Sequence, residues 1–211
     1  MMAGDEHHAA GDRIAEFGGH RAETLFRGYR SLVRHEGVVA TAHGPLGVAR
    51  DVYEIGAVAA IIAYDPARDL VVLHRQFRFP VHLAGLPALI VELPAGLIEP
   101  GETPEQAARR ETVEELGVEP LDVVPAFTWL PSPGSLGERA HLFAARVDAG
   151  AAPRTAGKRA EAEFTEPFAV SPDAVLAAID EDRLSHGFTI IGMLWFARHR
   201  ARLRRRWGFD P

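Results

Sequence analysis

The apolar positions of the chain form short runs whose spacing changes near residue 103. Earlier runs are rich in β-branched and aromatic residues and are interrupted by Gly and Pro, which is typical of strands. Later runs fall partly at helical spacing. The pattern predicts strands over 29–33, 38–41, 48–53, 58–63, 70–73, 89–93, 123–129 and 139–147. It predicts helices over 103–116, 172–179 and 189–205. This order of elements indicates an α/β fold, with helices packed on a mixed sheet.

The first long helix carries clear end signals. Thr103 is suited to the N-cap, Pro104 to the first helical position, and Gln106 completes a capping box. Gly117 is suited to end the helix in a left-handed conformation. A turn over 64–69 is expected to join two strands into a hairpin, and 94–102 is expected to be a loop. Residues 1–24 are polar and Gly-rich, so we expect a loose N-terminus.

Composition narrows the possible chemistry. The chain has 211 residues, which fits one domain, and it contains no Cys. Disulfides, thiolate nucleophiles, zinc–sulfur sites and iron–sulfur clusters are therefore excluded. The longest apolar runs are far too short to cross a membrane, and the first twelve residues lack the apolar core of a signal peptide. We expect a cytoplasmic protein with no membrane partner.

The charge is unevenly distributed. The formal net charge is −6, yet residues 198–211 hold six Arg and one Asp, which leaves −11 for the rest of the chain. A basic tail can bind nucleic acid, but no aromatic or repeated pattern supports that here. We expect a terminal helix with a solvated face and no nucleic-acid partner. The acidic body disfavours a polyanionic substrate unless a divalent metal compensates.

Four glutamates are grouped around the first long helix. Glu111 and Glu115 lie one above the other, and Glu114 shares their face. Glu102 adds a carboxylate from the loop before the helix, where glycines let the backbone approach closely. Like charges at this spacing destabilise a bare helix, whereas a hard divalent cation takes several oxygen ligands. The pattern predicts either a Mg²⁺-type site or a solvated acidic helix paired with neighbouring arginines.

The order of residues over 96–118 is specific. Gly96 is followed after five residues by Glu102 and, after seven more, by Arg-Glu-Thr-Val-Glu-Glu-Leu-Gly-Val at 110–118. This stretch resembles the Nudix box, G-x5-E-x7-R-E-U-x-E-E-x-G-U with U aliphatic, and departs from it only at Thr112. The resemblance implies a Nudix fold, a mixed β-sheet sandwiched between helices. It also implies hydrolysis, dependent on Mg²⁺ or Mn²⁺, of a nucleoside diphosphate linked to another moiety.

The resemblance assigns roles to individual residues. It implies metal ligands in one group: the carbonyl of Ala95 and the side chains of Glu102, Glu111, Glu114 and Glu115. Arg110 is expected to orient a carboxylate and to belong with Glu111 and Glu115 to the catalytic group. Glu138, on the loop after the box, is expected to be the general base, with an additional metal ligand or a plain surface acid as alternatives.

Three further segments resemble ADP-ribose pyrophosphatases: Arg-Gln-Phe-Arg-Phe-Pro at 75–80, Glu-Leu-Pro-Ala-Gly at 92–96 and Ser-Pro-Gly-Ser-Leu-Gly-Glu at 132–138. The resemblance covers roughly residues 25–200. It implies an antiparallel N-terminal β extension over 25–55 that mediates a homodimer, a Nudix domain over 56–205 and a tail over 206–211.

The same resemblance suggests substrate contacts. Arg78 and Arg50 are candidates to bind the diphosphate, since a guanidinium can hold phosphate with two hydrogen bonds. The alternative for each arginine is an ion pair at the protein surface. Glu92 is a candidate to bind adenine or ribose, or a structural group, and Gly134 lies in the substrate loop. Three aromatic residues could stack on adenine or pack in the core: Phe26, Tyr29 and Phe79.

The leading functional hypothesis is hydrolysis of ADP-ribose to AMP and ribose 5-phosphate. Another nucleotide sugar, GDP-mannose or ADP-glucose, is the nearest alternative, because the box and the Ser-Pro-Gly loop fit both. The acidic stretch expected near residue 160 is interrupted, with Glu161, Glu163 and Glu166 separated, which leaves the contact to the distal sugar undefined. A Nudix-like binding module without turnover is the alternative of a different class, and the intact set of box glutamates argues against it.

Overall fold

The computed structural model describes residues 11–158, 160 and 163–210. Part of the predicted loose N-terminus, residues 1–10, and Glu161 lie outside the described residues. The chain divides into two compact units. The first contains the residues up to Ile55 together with 132–137, and the second contains residues 56–131 and those from Glu138 onward.

The first unit is a three-stranded antiparallel sheet in the order β1-β2-β3. Its strands are β1, Phe17–Arg27, β2, Ser31–Thr41, and β3, Gly44–Glu54. Only Val33 is buried among the residues of these strands. The loop over 132–137 belongs to the same unit, and the amide of Tyr53 donates to the carbonyl of Ser135 at 3.1 Å.

Two expectations for this region are wrong. Strand β1 begins at Phe17, within the stretch expected to be loose, because its backbone pairs with β2 from Val39 to Ser31. The predicted strands 29–33 and 38–41 form the single strand β2, since Gly37 continues the strand and does not break it. A Cβ atom at Gly37 would lie 2.2 Å from the Phe17 ring, so the glycine provides room for that ring.

The second unit is built on a seven-stranded mixed sheet. Its strands are β4, Ala57–Asp65, β5, Leu70–Phe77, β6, Leu89–Glu92, β7, Ala95–Leu97, β8, Asp122–Trp129, β9, Arg139–Arg146, and β10, Thr165–Val170. The main path runs β10-β5-β4-β9-β8, with β6 paired to β5 and β7 to β4. Strands β4 and β9 are parallel, and the other pairs are antiparallel. The helices are α1, Phe79–Leu83, α2, Pro104–Leu116, α3, Pro172–Asp180, and α4, Gly187–Arg206.

Alternating residues of the central strand β4 supply two cores on opposite faces of the sheet. Ile61 packs with Ala107 and Leu116 of α2. Ile62 packs on the other face with Val175 of α3 and Phe196 of α4. This period-two division confirms the predicted α/β sandwich of a mixed sheet between helices.

Several predicted elements are confirmed, and three besides β1 were missed: β7, β10 and α1. Strands β4 and β5 form the expected hairpin, with Asp69 at a positive φ of 56° in the turn. The segment over 94–102 is not a continuous loop, because its first residues pair with β4 as β7. Helix α1 was not predicted. It has five residues, none of them buried, and no side-chain N-cap, so neither periodicity nor a capping signal marks it.

Three of the six arginines of the basic C-terminus form ion pairs with other described residues: Arg200, Arg204 and Arg206. Arg200 pairs with Asp69 and with Asp173, the second pair at 2.7 Å. Arg204 donates to the hydroxyl of Tyr64 at 2.7 Å. These contacts attach α4 to the hairpin turn, as expected of a packed terminal helix. No helix among the described residues is long and apolar enough to cross a membrane.

Candidate active site

Helix α2 is fixed at both ends. The hydroxyl of Thr103 accepts from the amide of Gln106 at 3.3 Å, and the Gln106 side chain accepts from the Thr103 amide at 2.8 Å. Gly117 ends the helix in a left-handed conformation with φ of 67°. The predicted capping box and terminator are therefore confirmed. These caps define where the helix begins and ends, and the packing of Ala107 and Leu116 in the core turns its other face, with the glutamates, away from the core.

The structure brings the four predicted carboxylates together around Arg110. Its guanidinium donates to both oxygens of Glu102 at 3.0 Å, to Glu111 at 2.6 Å and to Glu114 at 3.1 Å. It also donates to the carbonyl of Leu97 at 2.8 Å. Arg110 therefore orients carboxylates, as the sequence resemblance implied. Arg110 and Lys158, whose Nζ lies 2.8 Å from Glu114, stand against four carboxylates, so negative charge remains in excess.

Glu115 is the most deeply buried of these acids, with 2% of its surface exposed. Its Oε2 accepts a hydrogen bond from the amide of Ala95 at 2.8 Å. Burial, followed by the charge of Glu111, raises the pKa of Glu115 well above its usual value. Burial also raises the pKa of Glu111. Both carboxylates are thus held in an environment that an added cation would relieve.

Gly96 lies where strand β7 approaches α2. A Cβ atom at this position would lie 1.8 Å from Oε1 of Glu111. A side chain at position 96 would therefore displace the Glu111 carboxylate, which gives a steric reason for the first glycine of the sequence pattern. Thr112, the one departure from that pattern, is fully buried and donates its hydroxyl to the carbonyl of Ala108 at 2.7 Å. The departure is therefore accommodated within the helix.

The side chains around Arg110 offer oxygen atoms that could bind a hard divalent cation. Within the part of the chain that the structure describes, no three acidic or histidine side chains converge as a ready-made coordination group. Arg110 instead bonds the carboxylates of Glu102, Glu111 and Glu114. The available ligands are all oxygens, two of them on buried carboxylates, which is the donor chemistry that Mg²⁺ and Mn²⁺ prefer. The residues therefore fit such an ion. Ala95 contacts this group through its amide, which donates a hydrogen bond to Glu115.

Arg78 and Glu92 form a second charged cluster. The Arg78 Nε donates to Glu92 Oε1 at 2.6 Å and its Nη2 donates to Oε2 at 2.7 Å. Glu92 is 1% exposed, so its carboxylate is occupied by the arginine and closed to solvent. Of the two roles open for Glu92 from the sequence, this geometry favours the structural one. Arg78 stands in an ion pair, and 39% of its side chain is exposed.

Glu138 lies directly before β9, in the second unit. It is buried, and burial alone raises its pKa. None of the described residues makes a hydrogen bond or an ion pair with its carboxylate. Of the alternatives from the sequence, a plain surface acid is wrong, since the side chain is not at the surface.

Arg50 and Gly134 belong to the first unit. Arg50 is exposed on β3, opposite His35, and its Nη1 donates to the carbonyl of Ala49 at 2.7 Å. None of the described residues forms an ion pair with it, so the surface ion pair considered from the sequence is not observed. Gly134 lies in the exposed loop over 132–137.

One charged residue near the carboxylates was not predicted as part of the site. Glu163 contributes to raising the pKa of both Glu111 and Glu115, and its charge also acts on Arg78. The segment that carries it is attached to α2, because the amide of Gly157 donates to the carbonyl of Glu114 at 2.8 Å. No motif spacing links this segment to the box, so the sequence offered only its acidic character.

The three candidate aromatic residues are all exposed. Phe26, Tyr29 and Phe79 have relative exposures of 63%, 87% and 60%. Core packing, the alternative for each of them, is therefore wrong. Phe26 and Tyr29 lie in the first unit, and Phe79 begins α1 in the second.

Comparison with known proteins identifies the fold and chemistry together. The NUDIX domain model matches residues 55–187, which spans α2 and all the carboxylates around Arg110. The chain belongs to the Nudix family. This Nudix protein is 32% identical over 187 residues to the ADP-ribose pyrophosphatase of Escherichia coli (strain K12), covering 88% of this chain and 90% of the relative. It is a Nudix diphosphate hydrolase.

Two other relatives and one solved structure are also similar to this chain. The Nudix chain is 33% identical over 193 residues to the ADP-ribose pyrophosphatase of Haemophilus influenzae, with 88% of each chain covered. It is 33% identical over 156 residues to the GDP-mannose pyrophosphatase of Pectobacterium atrosepticum, covering 71% of this chain and 80% of the relative. The crystal structure of an ADP compounds hydrolase superposes with a TM-score of 0.67 at 14% identity, covering 93% of this chain and 97% of the other. This last likeness shows the fold.

Proposed function

We propose that the enzyme hydrolyses ADP-ribose to AMP and ribose 5-phosphate in the presence of Mg²⁺ or Mn²⁺. The observation that carries the proposal is the group of carboxylates around Arg110, in which negative charge exceeds that of the neighbouring cations and burial raises the pKa of Glu111 and Glu115. A diphosphate resists attack because it is negatively charged, so a site for hard cations suits its hydrolysis. The choice of ADP-ribose rests on the names of the relatives that cover most of the chain.

The carboxylates of Glu102, Glu111, Glu114 and Glu115 would hold the metal together with the carbonyl of Ala95. When bound, such an ion neutralises charge on phosphate oxygens and lowers the pKa of a water. The protein must let the ion compete with Arg110, which bonds Glu111 at 2.6 Å. Arg110 keeps a second attachment to the carbonyl of Leu97, so it can release one carboxylate without leaving the cluster.

Two further residues are proposed to act on the substrate. Arg78 binds a phosphate oxygen through the part of its guanidinium that Glu92 does not use. Glu138 accepts the proton of the attacking water, whose oxygen bonds to phosphorus while the bridging P–O bond breaks and the leaving phosphate carries the electron pair. The raised pKa of Glu138, caused by burial, makes its carboxylate a stronger proton acceptor than an ordinary glutamate. The alternative role for Glu138 is that of an additional metal ligand.

Arg50 and Gly134 remain proposed substrate contacts, and a homodimer is proposed as the assembly. The sheet of the first unit exposes Phe17, Leu25, Phe26, Val38 and Leu46. A sheet with apolar side chains at its surface is suited to packing on another chain. A second copy of this sheet is the proposed partner. Sedimentation of the wild type against Phe26→Lys tests this proposal, because a monomeric wild type contradicts it.

GDP-mannose is the second candidate substrate, because the Pectobacterium atrosepticum relative is named for it. The decisive measurement is kcat/KM over a panel of ADP-ribose, ADP-glucose and GDP-mannose with Mg²⁺. We expect ADP-ribose to give the highest value, with AMP as a product. Glu119→Gln, which removes an exposed glutamate beyond α2, is the control for surface charge. A higher value for GDP-mannose would replace the substrate assignment, and no hydrolysis of any member would overturn the proposed function.

A further inference from the structure

The guanidinium of Arg78 is held along one edge only. Glu92 takes Nε and Nη2, and Nη1 has no hydrogen-bond partner among the described residues. The side chain is 39% exposed, whereas its partner carboxylate is closed to solvent. Nη1 and the second hydrogen of Nη2 thus remain for an anion, and the direction in which they point is set by the position of Glu92.

Glu92 is itself held from both sides along the backbone. It is the last residue of β6, where the ladder with β5 ends. The hydroxyl of Thr189 donates to the carbonyl of Val91 at 3.2 Å and accepts from the amide of Leu93 at 3.1 Å. A single hydroxyl therefore bonds the peptide groups on either side of Glu92, at the end of the strand pairing. These two bonds use its one donor and one of its two acceptor positions.

Thr189 lies in the first turn of α4 and is fully buried. One turn further, a Cβ atom at Gly192 would lie 2.5 Å from Cδ1 of Leu93, so the helix backbone packs directly on this segment. His186, just before the helix, places Nδ1 3.0 Å from the Thr189 hydroxyl and Nε2 3.5 Å from Glu92. The start of α4 thus surrounds the peptide groups that carry Glu92.

We propose that Thr189 is a positioning residue for Arg78 that acts through Glu92. Because it is fully buried, Thr189 does not touch the substrate; it fixes the carboxylate that aims the guanidinium. The inference deepens the proposed function, since it assumes that Arg78 binds the diphosphate. It predicts that binding of the anion depends on a hydroxyl more than ninety residues away in sequence, which contacts the strand that ends at Glu92.

The kinetic test is a double-mutant cycle. Thr189→Val removes the hydroxyl at nearly constant volume, and Thr189→Ser keeps it. We expect Thr189→Val to raise KM about tenfold with kcat changed less than about threefold, and Thr189→Ser to stay near the wild type. In an Arg78→Met background, Thr189→Val should change kcat/KM less than about twofold. Equal losses in both backgrounds would show a merely structural role and overturn the proposal. Thr112→Val makes the same change at another fully buried threonine and is the matched control.

A second measurement does not depend on turnover. The Nε–H of Arg78 bonds a buried carboxylate, so it should give a slowly exchanging ¹⁵N NMR signal, identified by its loss in Arg78→Lys. We expect Thr189→Val to speed its exchange by about tenfold or more and Thr112→Val to leave it unchanged. Thr189→Ala, which leaves room for a water, is measured in parallel in case the valine variant does not fold. An unchanged signal overturns the proposal. If the wild type hydrolyses no nucleotide sugar, the proposed function fails, and this signal alone decides the role of Thr189.

Discussion

Arg110 and Arg78 both hold glutamates in the second unit, but the balance of charge around them differs. Arg110 contacts three carboxylates, with buried Glu115 close behind them. Arg78 forms a closed pair with Glu92. The first cluster has negative charge in excess and suits a cation, whereas the second is balanced and leaves part of a guanidinium for an anion. These opposite balances suit the proposed function, in which the first cluster would take a metal and the second a phosphate of the substrate.

The largest effect is expected where the excess charge is removed. Glu115→Gln deletes the most buried metal-ligand candidate and keeps its shape. We expect kcat to fall by about 10³-fold or more, because a positioning and electrostatic mechanism has no substitute for a lost ligand. Circular dichroism and the melting temperature should stay close to the wild type, since a buried carboxylate with a raised pKa is replaced by a neutral group. Retained activity would contradict the metal assignment, and Glu119→Gln controls for surface charge.

The two clusters also differ in how far the sequence predicts them. The acids around Arg110 lie within one helix and the loop before it, so spacing, capping signals and the glycine at 96 give their arrangement directly. The structure added that Gly96 leaves room for the Glu111 carboxylate. The pairing of Arg78 with Glu92 depends on strand register, which no local pattern defines. Glu92 was therefore considered as a nucleotide contact and a structural group alike.

The same distinction holds for the fold. The α/β sandwich followed from the change in period and the order of elements. Strand β1 was missed because its polar, Gly-rich sequence has no alternation; the ladder with β2 stabilises it. Thr189 carries no sequence signal for its contacts with Val91 and Leu93, since these join residues almost a hundred positions apart. Local interactions were predictable, whereas contacts set by tertiary packing were not.

The second prediction concerns His74, which pairs with Glu92 across the strands β5 and β6. Burial lowers the pKa of His74 to about 4 from an ordinary value of 6.5. Between these values the unfolded chain binds a proton that the folded chain does not. Stability from this residue is therefore complete above pH 6.5 and falls as the pH decreases towards 4, by about 3 kcal/mol in total.

Urea denaturation from pH 7 to 4 measures this loss. His74→Phe should make the free energy of unfolding less dependent on pH over that range, since it lacks the titrating group. His82→Phe is the control. It removes a histidine of α1, a helix in which no residue is buried, so its loss should leave the pH dependence unchanged. An unchanged slope in His74→Phe would show that other groups account for the acid sensitivity of the second cluster.

The third prediction compares the two members of the Arg78–Glu92 pair. Arg78→Met leaves the carboxylate of Glu92 buried without its cation, which should lower the free energy of unfolding by about 3 kcal/mol at pH 7. Glu92→Gln leaves an amide oxygen to accept from Arg78, whose guanidinium reaches water, so the loss should be about 1 kcal/mol. Urea denaturation of both variants tests the order. Equal losses would contradict the view that the buried carboxylate dominates the energetics of the pair.

The smallest expected effect tests the metal directly. Mg²⁺ that binds only the folded chain should increase the free energy of unfolding by about 1–2 kcal/mol at moderate saturation. The melting temperature should rise accordingly. Since Arg110 competes with the ion for Glu111 and Glu114, Arg110→Met should show a larger Mg²⁺-induced increase than the wild type, and Glu115→Gln a smaller one. Differential scanning calorimetry with MgCl₂, against KCl at equal ionic strength, gives the three values. A smaller increase in Arg110→Met would mean that the arginine organises the ligands for the ion, and the view of Arg110 as an internal competitor would be wrong.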